Sequence, residues 1–385
     1  MASTLPDNPS LEHLRREARA LQRERSAGSA PMALHEAQRT VARRYGFTGW
    51  PALVRYLDVA AALSVDPDRV DEAALSAADR FCSLSVLRYS DSDAPPRWAA
   101  ASEILAAEPG LVDSHIWAAA AAADPEALAR HLARGDDANS HGGPFGWPAL
   151  LYLCYARSPA GSNDEITSAA TLLLDAGADP DAGYLWRGMS TPFTALTGVF
   201  GEGEQGPRRQ PRHRAAAHLA SLLLARGAHP VDQQTLYNRM FRDDDSHLEL
   251  LFAHGLADAA PGPWERRLGE AMETREQMWQ RQITWAADHG FRRRLDLLAR
   301  HGIDTSGARM TEPRIPDDPN TLDDDGATPL HHAAWDGDLD LIRRLLASGA
   351  DPTIVDTRFD ATPQGWAEHA YQTEAADLLR SATRP

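Results

Sequence analysis

Leu172, Leu173 and Leu174 precede Asp175-Ala-Gly-Ala-Asp179, and the same order, an apolar run followed by a glycine, recurs along the chain. The other copies are Leu132-Ala-Arg-Gly135, Leu222-Leu-Leu-Ala-Arg-Gly227, Leu250-Leu-Phe-Ala-His-Gly255, Leu297-Leu-Ala-Arg-His-Gly302 and Leu345-Leu-Ala-Ser-Gly349. Apolar residues at helical spacing predict a helix before each glycine. A glycine at that point predicts the left-handed backbone on which helices commonly end. The glycines stand 42, 50, 28, 47 and 47 residues apart, so the unit repeats with insertions in most copies and a shortening in one.

Each run has an upstream partner. Ser114 to Asp124, with its six consecutive alanines, precedes the helix of Leu128 and Leu132. Trp147-Pro-Ala-Leu-Leu-Tyr-Leu-Cys-Tyr-Ala156 and Thr191-Pro-Phe-Thr-Ala-Leu-Thr197 begin the next two units. Gln233 to Arg242 is closed by Asp243-Asp-Asp-Ser246, and Gln282-Ile-Thr-Trp-Ala-Ala-Asp-His-Gly290 precedes Leu297. A last pair, around Ala361-Thr-Pro-Gln-Gly-Trp-Ala367 and Glu374-Ala-Ala-Asp-Leu-Leu379, has no closing glycine and reads as a cap on the stack. The expectation is an all-α solenoid of about seven helix pairs.

The best-formed copy is Asp325-Gly-Ala-Thr-Pro-Leu-His-His-Ala-Ala334, followed by Leu341 to Pro352. Asp325-Gly326 suits a tight turn, Thr328 an N-cap and Pro329 the first helical position, where no donor is needed. Asp336-Gly-Asp338 breaks this helix, and Leu339, Ile342, Leu345 and Leu346 take up the next. The Thr-Pro-Leu-His-x-Ala core resembles an ankyrin repeat, whose ordinary unit is about 33 residues. The resemblance implies that His331 is structural, bonding the backbone of neighbouring turns. It also implies a concave protein-binding surface made of turn tips and the exposed face of each first helix. The matching positions are Asp324, Asp325, Ala327, Trp335 and Asp336, then Arg358, Phe359 and Ala361, with Tyr184, Trp186 and Arg187 as a similar aromatic-basic tip. Trp335 is the leading residue, at a family-variable outward position; the alternative is packing against a neighbouring loop.

Outside the repeats, residues 1–62 predict a three-helix module. Leu11, Leu14, Ala18 and Leu21 line the first helix; Leu34, Ala37, Val41 and Tyr45 the second; Leu53, Val54 and Leu57 the third. The loop at Ser26-Ala-Gly-Ser29 and Pro31 separates the first two helices. Phe47 and Trp50 read as core. This segment resembles a helical segment that precedes ankyrin repeats in bacterial proteins. Residues 63–113 predict a helical connector, with helix over 66–87 and 98–107, and residues 114–385 the solenoid. Insertions fall at 198–214, 261–280 and 308–324. The first is either a loop or a partner-binding arm presenting Arg208, Arg209, Arg212 and Arg214.

Composition narrows the function. The chain has 385 residues, a net charge of −16 and no lysine; all 39 basic residues are Arg. Residues 1–62 hold 9 Arg against 6 acidic residues, and the remainder 30 against 49. An acidic solenoid repels phosphate backbones, which disfavours nucleic acid as partner; the charge otherwise serves solubility or a preference for basic partners. Cys82 and Cys154 predict buried thiols in a reducing cytoplasm rather than a disulfide framework. No stretch approaches the roughly 20 apolar residues of a membrane span. Neither His-Glu-x-x-His, Cys-x-x-Cys nor Gly-x-Ser-x-Gly occurs, and the histidines read as structural or capping rather than metal-binding. The expected function is therefore a non-enzymatic, cofactor-free protein–protein scaffold. The alternative is a regulatory protein whose basic N-terminal helices act under control of the acidic solenoid.

Overall fold

Seven pairs of antiparallel helices follow one another from residue 116 to 382 in the computed structural model, which describes Leu5 and residues 10–26, 32–158, 161–310, 315, 317–323 and 326–383. Ahead of them lie α1 (Leu11–Ser26), α2 (Leu34–Arg44), α3 (Trp50–Leu63), the two-residue strand β1 (Ser64–Val65), α4 (Ala77–Ser85) and α5 (Pro95–Ala107). The pairs are α6 (Ile116–Ala122) with α7 (Pro125–Ala133), and α8 (Ala149–Tyr155) with α9 (Asn163–Asp175). Strands β2 (Gly183–Trp186) and β3 (Pro192–Thr194) precede α10 (Ala195–Phe200), a short α11 (Gly206–Arg209) and α12 (Ala216–Ala225). Then come α13 (Gln233–Arg239) with α14 (Ser246–Ala253), an added α15 (Pro263–Leu268), and α16 (Arg275–Asp288) with α17 (Arg292–Arg300). The last pairs are α18 (Pro329–Asp336) with α19 (Leu339–Ala347), and α20 (Pro363–His369) with α21 (Thr373–Ala382). First helices stack on first helices, α6 on α8, α8 on α10, α10 on α13 and α18 on α20.

The helix ends obey the glycine rule. Gly135, Gly177, Gly227, Gly255, Gly302 and Gly349 all have φ between +80° and +98°. A Cβ added at Gly349 would touch nothing within 4 Å, so a side chain there is opposed by the backbone alone. Gly349→Val is expected to cost about 1–3 kcal/mol, read from the urea midpoint; an unchanged midpoint would contradict the left-handed end.

Successive turns are zipped by a device the sequence reading missed. The Asn139 amide donates to the Gly177 carbonyl at 2.8 Å and accepts from the Asp179 N–H at 2.9 Å. Asn320 does the same to Gly349 and Asp351, at 3.1 and 2.7 Å. Asp181 accepts from the His229 N–H at 2.7 Å. The available signal was the triplet Asp137-Ala-Asn139, echoed as Asp179-Pro-Asp181 and Asp318-Pro-Asn320. Asn320 therefore does a repeat turn's work within the segment read as the 308–324 insertion.

Two local expectations are corrected. The helix expected over 66–87 is limited to α4: Asp66 accepts from the Asp68 N–H, Pro67 opens a single 3-10 turn, and the chain stays irregular to Ser76. The unit expected to start as helix at 191 begins instead with β3, and Thr194 caps α10. A small sheet of order β1-β2-β3, parallel then antiparallel, is thereby added to the helical fold.

The N-terminal helices are joined to the solenoid rather than free of it. Their core, with Leu14, Val41, Phe47, Leu53 and Leu57, is completed by Leu185 of β2 and by Trp264, Leu268 and Met272 around α15. Glu270 fastens the joint, accepting from the Thr48 N–H and hydroxyl at 3.2 and 3.0 Å. Thus residues 261–280 are a packing wedge between module and repeats. The main core runs from Ala78 to Leu298, and a separate cluster occupies α18 to α21. Cys82 and Cys154 are free and buried.

Two buried histidines give the fold an acid sensitivity. Burial, reinforced by the charges of Arg239 and Arg294, pushes His247 well below the ordinary imidazole value; burial beside Arg157 and Arg214 does the same for His213. As pH falls through about 6.5, the unfolded chain takes up protons at these sites and the folded chain does not. Each histidine thus removes up to about 1.4 kcal/mol of stability per pH unit below that point. His247→Leu is expected to flatten the stability–pH curve between pH 6.5 and 5.5 by about 1 kcal/mol relative to the parent protein. Parallel curves would place the His247 titration outside the folding equilibrium.

Candidate functional site

The first helices stack on one another along the repeats, and the 201–214 segment packs against α13 and α18. Residues 201–214 do not project as an arm. The Glu202 N–H donates to the Gln210 carbonyl at 2.7 Å, closing the loop. Arg212 bonds Glu202 at 2.7 Å and also reaches Asp244, while Arg239 pairs with the same two carboxylates. Burial opposes the Asp244 charge, but Arg212, Ser246 and Arg239 outweigh it and hold this carboxyl far below the usual range. Arg157 adds bonds to the Pro211 and Gly198 carbonyls, both at 2.7 Å. Of the four arginines considered for an arm, Arg208 and Arg214 are exposed, Arg209 is buried and Arg212 is tied down.

This loop reaches the last two pairs. The Trp335 indole N–H donates to the Glu204 carbonyl at 3.0 Å, and its ring stacks on His369 and meets the edge of Trp366. Arg209 donates to the His369 carbonyl at 3.3 Å and to the Asp91 carbonyl, bridging connector and final pair. Asp336 receives Arg242, at 3.5 Å to its carboxylate and 3.3 Å to its carbonyl. Trp335 is therefore half-buried and engaged within the chain, a correction to its expected outward role. Sequence spacing carries no information about a contact 131 positions away. Trp335→Ala is expected to lower stability by about 2 kcal/mol, less than for a fully buried Trp. A stability change below about 0.5 kcal/mol in chemical denaturation would return it to the set of free surface residues.

The other expected positions divide. Asp324 and Asp325 lie outside the described residues, while Ala327 is buried. Arg358 and Phe359 occupy an exposed turn, with Phe359 60% exposed and the Arg358 guanidinium 4.9 Å above its ring. Buried Asp356 shapes that turn, accepting from the N–H groups of Arg358, Phe359 and Ala361 and from the Trp366 indole at 2.6–3.0 Å. His331 bridges turns as the resemblance implies, its Nδ1 accepting from the Thr328 N–H at 3.1 Å and its Nε2 lying 3.1 Å from the Ala361 carbonyl. Tyr184 is not at a tip: it is 2% exposed and stacked on Trp147 at 4.6 Å, because β2 is covered on both faces, Tyr184 packing into the main core and Leu185 into the N-terminal one. Trp186 is half-buried, donating to the Arg88 carbonyl at 3.0 Å. Arg187 lies 4.4 Å over the Trp186 ring and binds Asp66 and Asp68.

Trp186 and Arg187 border a cleft of about 570 Å³ enclosed by the β2–β3 hairpin, residues 89–91, the 203–210 loop, α13 and α16. Tyr89, Phe193 and Tyr237 give it aromatic walls, and Gln210, Gln233, Gln234 and Asn238 an amide floor. Gln233 is 2% exposed; its amide nitrogen donates to the Glu273 carbonyl at 2.7 Å, and its oxygen has no partner. Arg281 binds Glu273 through Nε and Nη2 and sits 5.0 Å over Tyr237, leaving Nη1 without a partner. Two exposed carboxylates, Asp91 and Glu204, are held by the neutral donors Gln205, at 2.7 Å, and Tyr237. Sequence reading missed this cleft. The signal was the polar stripe at Gln233, Gln234, Tyr237 and Asn238, helical spacing on a first helix where packing would call for apolar residues.

Among the described residues no three His, Cys, Asp or Glu side chains gather as a metal site, and no helix is long and apolar enough to cross a membrane. A family model described as "Ankyrin repeats (many copies)" matches residues 314–363. Ankyrin repeat domain-containing protein 49 of Bos taurus is 56% identical over 36 residues, 9% of this chain and 15% of that protein's length. The crystal structure of the human ASB11 ankyrin repeat domain aligns at 18% identity and a TM-score of 0.29, covering 70% of this chain and 98% of that one. The helix pairs with their left-handed glycine ends, the turn-bridging His331 and the match over 314–363 together make this chain an all-α, ankyrin-type repeat fold.

Proposed function

We propose that the chain is a non-enzymatic scaffold that binds another protein through the inner face of its repeats and the turn at residues 356–361. The carrying observation is Phe359: 60% exposed, capped by Arg358, on a turn held by four hydrogen bonds to one buried carboxylate. An exposed aromatic on a pre-formed turn presents apolar area at low entropic cost, as interface anchors do. Exposed Arg358 adds a planar donor suited to carboxylates. The ankyrin-type match supports a protein partner, and the excess of acidic residues disfavours nucleic acid. Lysine-free composition and two free thiols support a bacterial, cytoplasmic setting.

Proximity crosslinking from position 359 in the native cell tests the reading. The expected result is one recurrent protein partner, lost in Phe359→Asp with the melting temperature unchanged. An identical crosslink pattern in the variant removes this turn from the interface. The regulatory alternative gains support from the N-terminal core, which borrows Leu185, Trp264 and Met272 from the solenoid. It requires that the basic helices release a function when this joint is opened.

A further inference from the structure

From the cleft between the β2–β3 hairpin and α13, we infer that this chain binds a peptide segment of its partner that carries a basic side chain. The inference rests on the scaffold reading and assigns it a second, chemically defined subsite, away from the 356–361 turn. Gln233 and Arg281 line the cleft, and the Gln233 oxygen and Arg281 Nη1 have no hydrogen-bond partner. Both atoms are fully buried, so recognition falls to the exposed groups of the mouth.

The charge of the mouth selects the side chain. Asp68, Asp91, Glu204 and Glu273 outnumber Arg187 and Arg281 around the cleft. Arg187 is spent on Asp66 and Asp68, and Arg281 on Glu273. The Asp91 and Glu204 carboxylates are oriented by Gln205 and Tyr237, and the Arg209 guanidinium donates to the Asp91 carbonyl rather than to its carboxylate. Two oriented carboxylates beside aromatic walls favour a guanidinium or ammonium group over a carboxylate. The volume lies in the 300–1,000 Å³ range of ordinary ligand sites. Met189, 46% exposed at the rim, is a place where charge can be changed without touching the core.

The test uses fluorescein-labelled, capped pentapeptide pools with a fixed central Arg, Glu or Leu and four randomised flanking positions, titrated against the full chain by polarisation. The Arg pool is expected to bind at least tenfold more tightly than the Glu pool. Met189→Arg and Glu204→Gln are each expected to weaken the Arg pool about tenfold with unchanged melting temperature. Equal affinities for the three pools, or an Arg-pool affinity untouched by Met189→Arg, would overturn the inference. The two failures are separable. If the 359 crosslink still captures one partner while the pools show no charge preference, the scaffold reading stands and the subsite falls. If neither crosslink nor pool registers binding, both fall.

Discussion

Arg294→Ala is expected to lower stability by about 3–5 kcal/mol, the range for breaking a buried ion pair by removing one partner. Arg294 lies on α17 but serves the preceding unit. Its Nε donates to Asp245 at 2.7 Å, with both side chains fully buried. Nη1 donates to the Met240 carbonyl at 2.7 Å, and Nη2 to the Arg242 carbonyl. One side chain thus satisfies a carboxylate and two carbonyls just beyond α13. Its loss strands the Asp245 carboxylate, whose other oxygen already lacks a partner. The double variant Arg294→Met/Asp245→Leu is expected to recover part of the loss, because it removes charge and counter-charge together. Urea denaturation of Arg294→Met, Asp245→Leu and the double variant closes the cycle. A double variant as unstable as the sum of the singles would show that the pair is not coupled.

The same variant bears on function. Arg242, whose carbonyl Arg294 holds, reaches Asp336 of α18, and the neighbouring Asp244 anchors the 203–214 loop through Arg212. A loosened 240–245 turn therefore releases the loop that walls the cleft. Arg294→Ala should lower Arg-pool affinity under conditions where the chain is still folded, although it touches no peptide.

The repeat was legible in the sequence because its determinants are local. A leucine run and a glycine fix a helix and its end within ten residues, and all six glycines read that way are left-handed. Arg358 and Phe359 were likewise read as a turn tip from position within one unit, whereas Asp356, which shapes that turn, was not. The missed features are those made by distant partners. The two-residue strand Ser64–Val65 exists only because Leu185 and Trp186 pair with it, and two residues carry no readable alternation. Trp335 looked outward until Glu204 covered it, and Arg209 looked like an arm until His369 and Asp91 accepted from it. The polar stripe on α13 was readable. A stripe alone does not separate a cleft floor from a solvated face; the enclosing hairpin and loop do.

Trp147→Ala is expected to cost about 3–5 kcal/mol, the range for truncating a fully buried tryptophan. Trp147 is 1% exposed and sits in a ring cluster, 4.6 Å from Tyr184, 4.8 Å from Phe145, 5.2 Å from Tyr155 and 5.4 Å from Tyr152. Truncation leaves a cavity facing four aromatic rings, too bulky to collapse into it. Trp147→Phe separates packing from polarity. The Trp147 indole N–H has no hydrogen-bond partner, so Phe loses no bond and should cost only about 1–2 kcal/mol. Tyr184, the ring nearest Trp147, belongs to β2, which also carries Trp186 into the cleft wall. The Ala variant should therefore weaken Arg-pool binding as well as stability, whereas Phe should leave binding within about twofold, a difference of roughly 0.4 kcal/mol. If Phe proves as costly as Ala, the cluster is not held by ring packing, and the β2–β3 hairpin needs another support.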